Sequence, residues 1–526
     1  MKKFNITTTC IKEQHYMVDA RKKLAKIEKM IDEGLYFTIN RARQYGKTTT
    51  MSKLFHTLKE KYIMIRGSLE DFGSEPYKSE ERFAKAFLNM LQKIIKFQDK
   101  KLAEYIISKN NAKSFEELSE KITDICMESE KEIVLMVDEV DKAGSNIIFL
   151  DFLAMLRDKY IKQKDGLDQT FKSIILAGVH DVKNLKVHIK ERRMLTEEEA
   201  KLIDKTTYNS PWNVAEEFKL DMSFNPEEIA TMLVEYEADY HTGMNIDEIS
   251  NEIYDYTSGY PFLVSKICKV IDEDSKEWSV SGVQEAIRMI LKENNTLFDD
   301  LIKNIENNKK LMEMVNDIII DGILYSYVQT DEIISIGAMY GIFKESNEGK
   351  VKMHNKIFEI LLYNHMSIKK ERESMEIKKY EVRNQFIKSN GDLDMSKALD
   401  KFQELMYEEY REKTEKFIEK EGRLIFLAFI KPIINGTGFY FVETETRTNR
   451  RMDIVITYNK KLYIIELKKW YGKDYEERGY IQLMDYMDIK RADEAYMVIF
   501  DFRKEKKEYK KGWIEEEGKK IYEVIV

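Results

Sequence analysis

Cysteine and proline are scarce in this sequence. Its 526 residues include 3 cysteines and 5 prolines. The cysteines Cys10, Cys126 and Cys268 lie far apart and form no CxxC pair. Neither a disulfide framework nor a cysteine-based zinc site is therefore predicted, and the pattern suits the reducing cytoplasm. The low proline content leaves room for long helices.

Long apolar runs and an excess of basic charge are also missing. No apolar run reaches about 18 residues, which excludes a predicted transmembrane helix, and residues 1–18 are too polar for a signal peptide. A net charge of -8 excludes a generally basic nucleic-acid-binding surface, so any such contact has to be a local patch. Apolar residues make up 43% of the chain, enough for several cores, and the length predicts about two to four domains.

Short apolar runs alternate with helical patterns in the first third of the sequence, which forms the first predicted domain, residues 1–205. The runs are LYFTIN (35–40), YIMIRGS (62–68), EIVLMVDE (132–139) and SIILAGV (173–179). Strands that are apolar on both faces and separated by helices are typical of a largely parallel α/β sheet. The sequence therefore predicts such a sheet at the start of the chain.

Three further segments are predicted after residue 205. Residues 206–366 follow helical patterns and end in a strand, turn, strand and helix typical of a winged-helix unit. Residues 367–420 are dominated by charge and are expected to form solvated connector helices. Residues 421–526 return to strands and predict a C-terminal α/β domain.

The stretch NRARQYGKTTT (40–50) lies between a predicted strand and an amphipathic helix, the context that a phosphate-binding loop requires. Gly46 lets the backbone approach phosphates, Lys47 would reach the β- and γ-phosphates, and the Thr48 hydroxyl would bind Mg²⁺. A glycine, lysine and threonine can also occur together by chance, and Arg41 occupies the first glycine position of the full pattern. The predicted ATP-contacting residues of this loop are Gln44, Tyr45, Gly46, Lys47, Thr48 and Thr49.

Acidic residues follow the third apolar run. Asp138 at the end of a parallel strand could hold Mg²⁺ through water, and Glu139 could polarise the water that attacks the phosphate. The alternative is a helix that begins with acidic residues, which is common. The fourth run ends near His180 and Asp181, where either a γ-phosphate sensor or an ordinary loop would lie.

These segments resemble the bacterial AAA-ATPase-like family that accompanies nuclease domains. The resemblance covers residues 1 to about 365 and depends on RARQYGKTTT, VLMVDEVDKA, ILAGVHDVKNLK, YNSPWNVAEEFKLDMSFNPEEI and SGYPFLVSKI. It implies a P-loop ATPase core that binds ATP and Mg²⁺. It also implies that Gly259–Pro261 contact the nucleotide as part of a lid, and Arg192 and Arg193 are the candidates for an arginine finger.

A second candidate site lies in RRMDIVITYNKKLYIIELKK. Two strands joined by the turn-like NKK would bring Asp453 beside Glu466, and a cation between two carboxylates would relieve their repulsion. Side chains two residues apart share a strand face, so Lys468 would lie beside Glu466 and could orient water or stabilise charge on a phosphate. The alternative for Glu466 and Lys468 is an exposed ion pair.

The pattern Asp…Glu-x-Lys resembles the PD-(D/E)XK nuclease superfamily, over residues from about 415 to 526. Gln482 and Tyr486, four apart on one helix face, resemble the Q-x-x-x-Y helix of recombination exonucleases in that superfamily. The resemblance implies a restriction-endonuclease-like α/β domain with catalytic residues Asp453, Glu466, Lys468, Gln482 and Tyr486, of which Asp453 and Glu466 bind metal. Further acids that could approach the metal are Glu421, Glu443 and Glu445.

Together the two resemblances imply an ATP-binding protein whose Mg²⁺-dependent C-terminal domain cleaves phosphodiester bonds under nucleotide control. The alternative is a non-catalytic ATP-dependent switch with an inactive nuclease-like domain. The expected partner is nucleic acid, DNA ahead of RNA, and a homo-oligomer is a further expectation. No membrane contact is expected, and the predicted location is the cytoplasm.

Overall fold

The computed structural model of this chain describes residues 2–526 except 8, 109–110, 141–142, 144–145, 180–215, 218–220, 320–322, 374–382, 411–418, 435–437, 442–453, 460, 470–472, 491, 502–509 and 517. Its contacts divide the chain into two compact units. The first unit comprises Met1–Val283 and Ser335–Ile342, and the second comprises Gln284–Ile334 and Phe343–Val526. The four domains expected from the sequence, with their three boundaries, stay a prediction.

A parallel sheet forms the centre of the first unit. Its strand order is β2-β3-β4-β1-β5, and every neighbouring pair is parallel. The four predicted runs form its first four strands, so the predicted parallel core is confirmed. The strands are β1 (Tyr36–Asn40), β2 (Ile63–Ser68), β3 (Ile133–Asp138), β4 (Ser173–Gly178) and β5 (Glu216–Glu217).

Helices cover both faces of this sheet because its strands are apolar on both sides. Alternate residues of the strands, including Ile65, Leu135 and Leu176, share a core with the helices from α3 to α6, and α2 contacts β2. The helices of the first unit are α1 (Arg21–Asp32), α2 (Lys47–Leu58), α3 (Glu80–Ile95), α4 (Lys100–Ser108), α5 (Phe115–Glu128), α6 (Ile147–Lys164), α7 (Pro226–Tyr240), α8 (Ile246–Thr257) and α9 (Pro261–Val270). Two helices, α10 (Val280–Lys292) and α13 (Glu332–Met339), run from one unit into the other along the chain.

Local sequence signals fix where α7 begins. Asn225 accepts a hydrogen bond from the backbone N–H of Glu228, and the Glu228 side chain accepts one from the Asn225 N–H. This reciprocal capping box satisfies two N–H groups that a helix terminus leaves without partners, and Pro226 at the first position has no N–H to satisfy. These contacts fix the start of α7 at Pro226.

The second unit begins with helices and a small hairpin. The strands β6 (Phe343–Glu345) and β7 (Val351–Met353) are antiparallel, and a helix follows them, as the strand, turn, strand and helix pattern predicted. The helices in this part are α11 (Thr296–Glu306), α12 (Lys309–Ile319) and α14 (Lys356–Glu373).

A six-stranded mixed sheet forms the C-terminal part of the second unit, in the order β12-β13-β11-β10-β9-β8. The strand β10 is antiparallel to β9 and parallel to β11, so the predicted hairpin is present. Because Tyr458 pairs with Lys461, the second lysine of the predicted NKK turn belongs to β10. The strands are β8 (Gly438–Phe441), β9 (Ile454–Tyr458), β10 (Lys461–Lys469), β11 (Glu494–Phe500), β12 (Lys511–Glu516) and β13 (Lys519–Ile525).

Helices lie on both faces of the C-terminal sheet. An added Cβ at Gly422 of α16 would lie 2.5 Å from the Phe500 ring, and one at Gly479 of α17 would lie 3.5 Å from Lys468. The two glycines therefore allow close approach of helix and sheet on opposite sides, since Phe500 and Lys468 belong to opposite faces in the register of β10 and β11. The helices are α15 (Met395–Tyr410), α16 (Glu419–Ile434) and α17 (Lys473–Lys490).

Helix α15 differs from the solvated connector that its charge pattern predicted. Leu399 and Phe402 are fully buried. Gln403 donates from Nε2 to the Ile525 carbonyl at 2.7 Å, and Tyr522 donates its hydroxyl to Asp400 at 2.6 Å. The charged residues that dominate the sequence cover one side of the helix, while its apolar side packs on β13.

None of the described helices is long and apolar enough to cross a membrane.

Candidate functional site

The loop between β1 and α2 has a backbone that only certain residues adopt easily. Gly46, immediately before α2, has φ of 79°, and Gln44 has φ of 56°. Left-handed backbone at Gly46 carries no Cβ penalty. The first N–H groups of α2 follow directly and have no acceptor within the helix. The helix dipole favours an anion beside them.

The Lys47 side chain folds back over this loop. Its Nζ donates to the Arg41 carbonyl at 2.7 Å and to the Ala42 carbonyl at 2.9 Å. Both of these acceptors are backbone carbonyl oxygens, and together they fix the position of the ammonium. The loop therefore presents the ammonium and the helix N–H groups together.

Thr48 and the end of β3 meet across the same edge of the sheet. The Thr48 hydroxyl donates to Asp138 Oδ2 at 3.1 Å, and Asp138 is 8% exposed. The Glu139 N–H donates to Asp138 Oδ1 at 3.0 Å, with Glu139 at φ of 56°. Positive φ in a glutamate is strained and typical of functional positions. This places two oxygen ligands suited to Mg²⁺ side by side, with a second carboxylate next in the chain.

A cleft of about 730 Å³ opens around these residues. It contains all the ATP-contacting residues predicted in the loop, together with Asp138 and Glu139. The predicted lid segment contributes Pro261, and Phe262 and Ser265 follow from the same helix α9. The sequence-derived residues of the first unit are thus brought together around one space.

Two tyrosines join the phosphate-binding loop to the segment before α9. The Tyr45 and Tyr260 rings meet edge to face, with centroids 4.7 Å apart. Tyr260 donates its hydroxyl to the Arg43 carbonyl, and the hydroxyls of Tyr45 and Ser223 are hydrogen-bonded. Burial raises the pKa of both tyrosines, so both hydroxyls stay neutral at physiological pH.

Gly259 makes this arrangement possible. An added Cβ would lie 1.8 Å from the Phe224 carbonyl oxygen, and the residue has φ of 71°. A larger residue is excluded both by space and by backbone conformation.

Part of the cleft wall was missed in the sequence. Residues Asn5, Thr9, Cys10 and Met17 of the N-terminal segment line the cleft. The apolar run of Tyr16, Met17 and Val18 before α1 is the only local signal for this role, since the contacts themselves join distant parts of the chain. His180, Asp181, Arg192 and Arg193 lie outside the described residues.

In the second unit, Glu466 and Lys468 lie near the end of β10. Lys468 Nζ lies 2.7 Å from Glu466 Oε1, and the side chains are 16% and 1% exposed. The two residues share a face, as predicted, and α17 covers that face through Gly479. The pair is therefore buried, unlike the exposed ion pair that was the alternative.

Several predicted C-terminal residues cannot be placed beside this pair. Asp453, Glu443 and Glu445 lie outside the described residues. Positions 482 and 421 lie in α17 and α16, but their side chains are outside the description. Tyr486 is 2% exposed. Among the described residues, no group of three His, Cys, Asp or Glu side chains could hold a metal ion.

A parallel sheet with a glycine–lysine–threonine loop after its first strand, facing an acidic strand end, defines a P-loop nucleotide-binding core. The sequence profile of the AAA-like domain matches residues 7–359. Because this match spans more than half of the chain, the protein belongs to the AAA-like domain family, and its P-loop core is an ATP-binding domain. The match ends before the C-terminal sheet. Comparison with curated proteins gave no significant match.

Solved structures similar to this chain include origin-recognition proteins of Aeropyrum pernix. The ORC2 protein in ADPNP–ADP complexes is 12% identical over 67% of this chain and 96% of its own, with a TM-score of 0.31. The ADP form of ORC2 is 10% identical over 69% and 97%, with a TM-score of 0.34. The ORC1 protein in complex with DNA is 12% identical over 67% and 94%, with a TM-score of 0.30.

Proposed function

We propose that the cleft of the first unit binds ATP with Mg²⁺ and hydrolyses it. The observation that carries this proposal is the contact between the Thr48 hydroxyl and Asp138 at 3.1 Å, beside a lysine whose ammonium donates to two backbone carbonyls of the same loop. Hard oxygen ligands next to an ammonium and helix N–H groups suit a metal-bound triphosphate. When bound, Mg²⁺ would neutralise charge on the β- and γ-phosphate oxygens.

Each residue of the loop has a role in this proposal. Lys47 exchanges two backbone carbonyls for phosphate oxygens, so its ammonium keeps hydrogen-bond acceptors when the nucleotide binds. Thr48 and Asp138 would hold the Mg²⁺, while the N–H groups of Gln44, Tyr45, Gly46 and Thr49 bind phosphate. Glu139 accepts a proton from the attacking water at its carboxylate.

Replacing Glu139 tests hydrolysis separately from binding. The Glu139→Gln variant should bind ATP with near wild-type affinity and release phosphate at least about tenfold more slowly, because general-base catalysis contributes at least this much. Glu132→Gln is the matched control, since Glu132 directly precedes the same strand at its opposite end. Equal phosphate release by Glu139→Gln and wild type would exclude Glu139 as the base.

We further propose that the C-terminal sheet carries a Mg²⁺-dependent phosphodiesterase. The buried Glu466, with Lys468 at 2.7 Å, supports this, because it lies near the carboxyl end of β10 beside the parallel strand β11, and ligands of α/β sheets bind at such ends. Asp453 and Glu466 would hold the metal, and Lys468 would orient water and stabilise charge on the phosphate. Gln482 and Tyr486 are proposed to assist from α17. A bound metal would supply water acidic enough to attack at neutral pH.

The metal site is proposed on a limited ligand set. The described residues supply one carboxylate, Glu466, and its oxygen is shared with Lys468. A divalent cation would have to displace the Lys468 ammonium or share the Glu466 carboxylate with it. Asp453 would supply the remaining protein ligands. Mn²⁺ affinity should therefore be measured together with cleavage.

Incubation of the full chain with mixed DNA and RNA, with Mg²⁺ or Mn²⁺ and with or without ATP, tests the phosphodiesterase. Wild type should cut, DNA ahead of RNA, and Glu466→Gln should lose cleavage by orders of magnitude. Glu494→Gln, at the exposed start of β11, is the control and should cut normally. If the wild-type protein binds ATP but cleaves neither DNA nor RNA, the result would favour the non-catalytic switch.

A homo-oligomer completes the proposal. A second copy of the chain would supply an arginine to the ATP site, as arginine fingers do in trans. Light scattering of the full chain with and without a non-hydrolysable ATP analogue tests this, and an unchanged monomer mass in both conditions would exclude it.

A further inference from the structure

The N-terminal segment, residues 2–7 and 9–19, is fixed firmly to helix α7. Tyr16 donates its hydroxyl to Asp239 at 2.7 Å, and the Asp19 N–H donates to the Thr231 hydroxyl at 2.9 Å. Lys2 forms an ion pair with Glu235. These three contacts are spaced along one side of α7, so both ends of the segment are attached to this helix.

Aromatic packing strengthens the same attachment. The Phe4 ring lies 5.0 Å from the Tyr16 ring, 5.2 Å from Tyr236 and 6.0 Å from Trp278, measured between centroids. Phe4 and Tyr16 are 4% and 3% exposed. Aromatic pairs at these distances contribute beyond their buried area, so the two ends of the segment are held together on α7.

The middle of the segment is held much more weakly. Its described hydrogen bond to the phosphate-binding helix runs from the Cys10 N–H to the Thr49 hydroxyl at 3.4 Å, which is near the upper limit for such a bond. Residues 11–14 are exposed. Yet Asn5, Thr9 and Cys10 line the cleft directly.

From this asymmetry we infer that residues 2–7 and 9–19 form a strap across the nucleotide cleft, which is held closed mainly by its attachment to α7 and opens at Cys10 when that attachment loosens, and that its opening sets the rate of nucleotide exchange. The weak contact to Thr49 breaks at little cost, whereas the aromatic anchor and the Tyr16–Asp239 hydrogen bond hold the strap over the cleft. The effect on nucleotide rests on the proposed ATP binding, but the opening itself does not.

The opening is measurable without nucleotide. Cys10 is half-buried, whereas Cys268 is fully buried. Burial raises the pKa of the Cys126 thiol to about 12, which keeps this thiol protonated and slow to react. Modification by a thiol reagent, mapped to Cys10 by peptide mass, should be several-fold faster in Tyr16→Phe and Phe4→Ala than in wild type. Tyr62→Phe is the matched control, since Tyr62 donates to Asp32 at the same distance of 2.7 Å away from the cleft, and it should leave the Cys10 rate unchanged.

Stopped-flow release of a fluorescent ATP analogue tests the consequence. Tyr16→Phe should raise both the association and the release rate constants several-fold, while its Kd changes much less, because a gate speeds both directions. Unchanged Cys10 modification in both strap variants, or faster modification with unchanged release, would overturn the inference. Wild type that binds no ATP at all would instead defeat the proposed function, leaving the Cys10 rates to decide whether the strap opens.

Discussion

Lys47 and Lys468 are two half-buried lysines, one in each unit, and their described contacts are to different kinds of acceptor. Lys47 donates to the neutral carbonyls of Arg41 and Ala42. Lys468 lies 2.7 Å from the carboxylate of Glu466, which is 1% exposed. The described acceptors of Lys47 are thus uncharged, whereas Lys468 shares its charge with a carboxylate.

The difference determines what each site attracts. The carbonyls of Arg41 and Ala42 hold the Lys47 ammonium at the N-terminus of α2, where the helix N–H groups also favour an anion. A lysine beside a buried carboxylate forms a nearly neutral pair, which attracts neither anion nor cation strongly. A cation at Glu466 must compete with the ammonium of Lys468, whereas a phosphate at Lys47 has to replace the carbonyls of Arg41 and Ala42.

Removing Lys468 should have the largest effect of the changes that break this comparison. Lys468→Met leaves Glu466 buried without its ammonium and should lower the free energy of unfolding by about 3 kcal/mol. Glu466→Gln should cost less, because the long Lys468 side chain can reach solvent. Hydrogen exchange of β10 in the full chain measures both, and Lys511→Met, which removes an exposed pair with Asp400, is the control. Equal losses in the free energy of unfolding for Lys468→Met, Glu466→Gln and Lys511→Met would contradict a buried Glu466–Lys468 pair.

Removing Lys47 should be next in size. Lys47→Met takes away a charged donor to the phosphates, worth about 2 kcal/mol, and should therefore weaken ATP binding roughly thirtyfold. Lys131→Met is the control, because Lys131 also donates to a backbone carbonyl, that of Glu60, but lies outside the cleft. Titration of a fluorescent ATP analogue measures the affinities, and equal affinity in Lys47→Met and wild type would remove the P-loop assignment.

The comparison also separates what sequence patterns could reveal from what they could not. The first four strands of the parallel sheet, the β9–β10 hairpin and the positions of Lys47, Thr48 and Asp138 were predictable because apolar runs, a turn and a helix start are local signals. The two-residue strand β5 has too little pattern to predict.

Contacts between distant parts of the chain were not predictable. The hydrogen bond from Cys10 to Thr49 and that from Tyr16 to Asp239 join residues far apart in sequence. The burial of α15 was hidden by its charged residues, since composition reports how many charges a helix has and not which side they cover.

Thr48→Val should have a smaller effect that sharpens the picture of the cleft. The change removes a hydroxyl that donates to Asp138, and it should weaken ATP binding about fivefold when Mg²⁺ is present, equivalent to about 1 kcal/mol. With EDTA the loss should vanish, because the hydroxyl is proposed to act through the metal. Thr57→Val on the same helix, where the hydroxyl donates to the Lys53 carbonyl, serves as the control. A loss of equal size in EDTA would assign Thr48 to a structural role.

The smallest effect is expected at the other end of β10, where Lys461 forms an ion pair with Asp392 at 2.5 Å and is 61% exposed. The Lys461 ammonium, with hydrogen bonds from Asn459 and Asn390, lowers the pKa of Asp392 below its usual value. A carboxyl group with a lowered pKa stabilises the folded state above its unfolded pKa, and this stability is lost as the pH falls through the folded pKa. Because solvent screens the exposed Lys461 ammonium, Asp392→Asn should cost less than about 1 kcal/mol at pH 7. The difference from wild type should shrink to nothing in acid, as measured by hydrogen exchange of β9 and β10 across pH. A cost as large as that of Lys468→Met would mean that burial is not what distinguishes the two pairs on this strand.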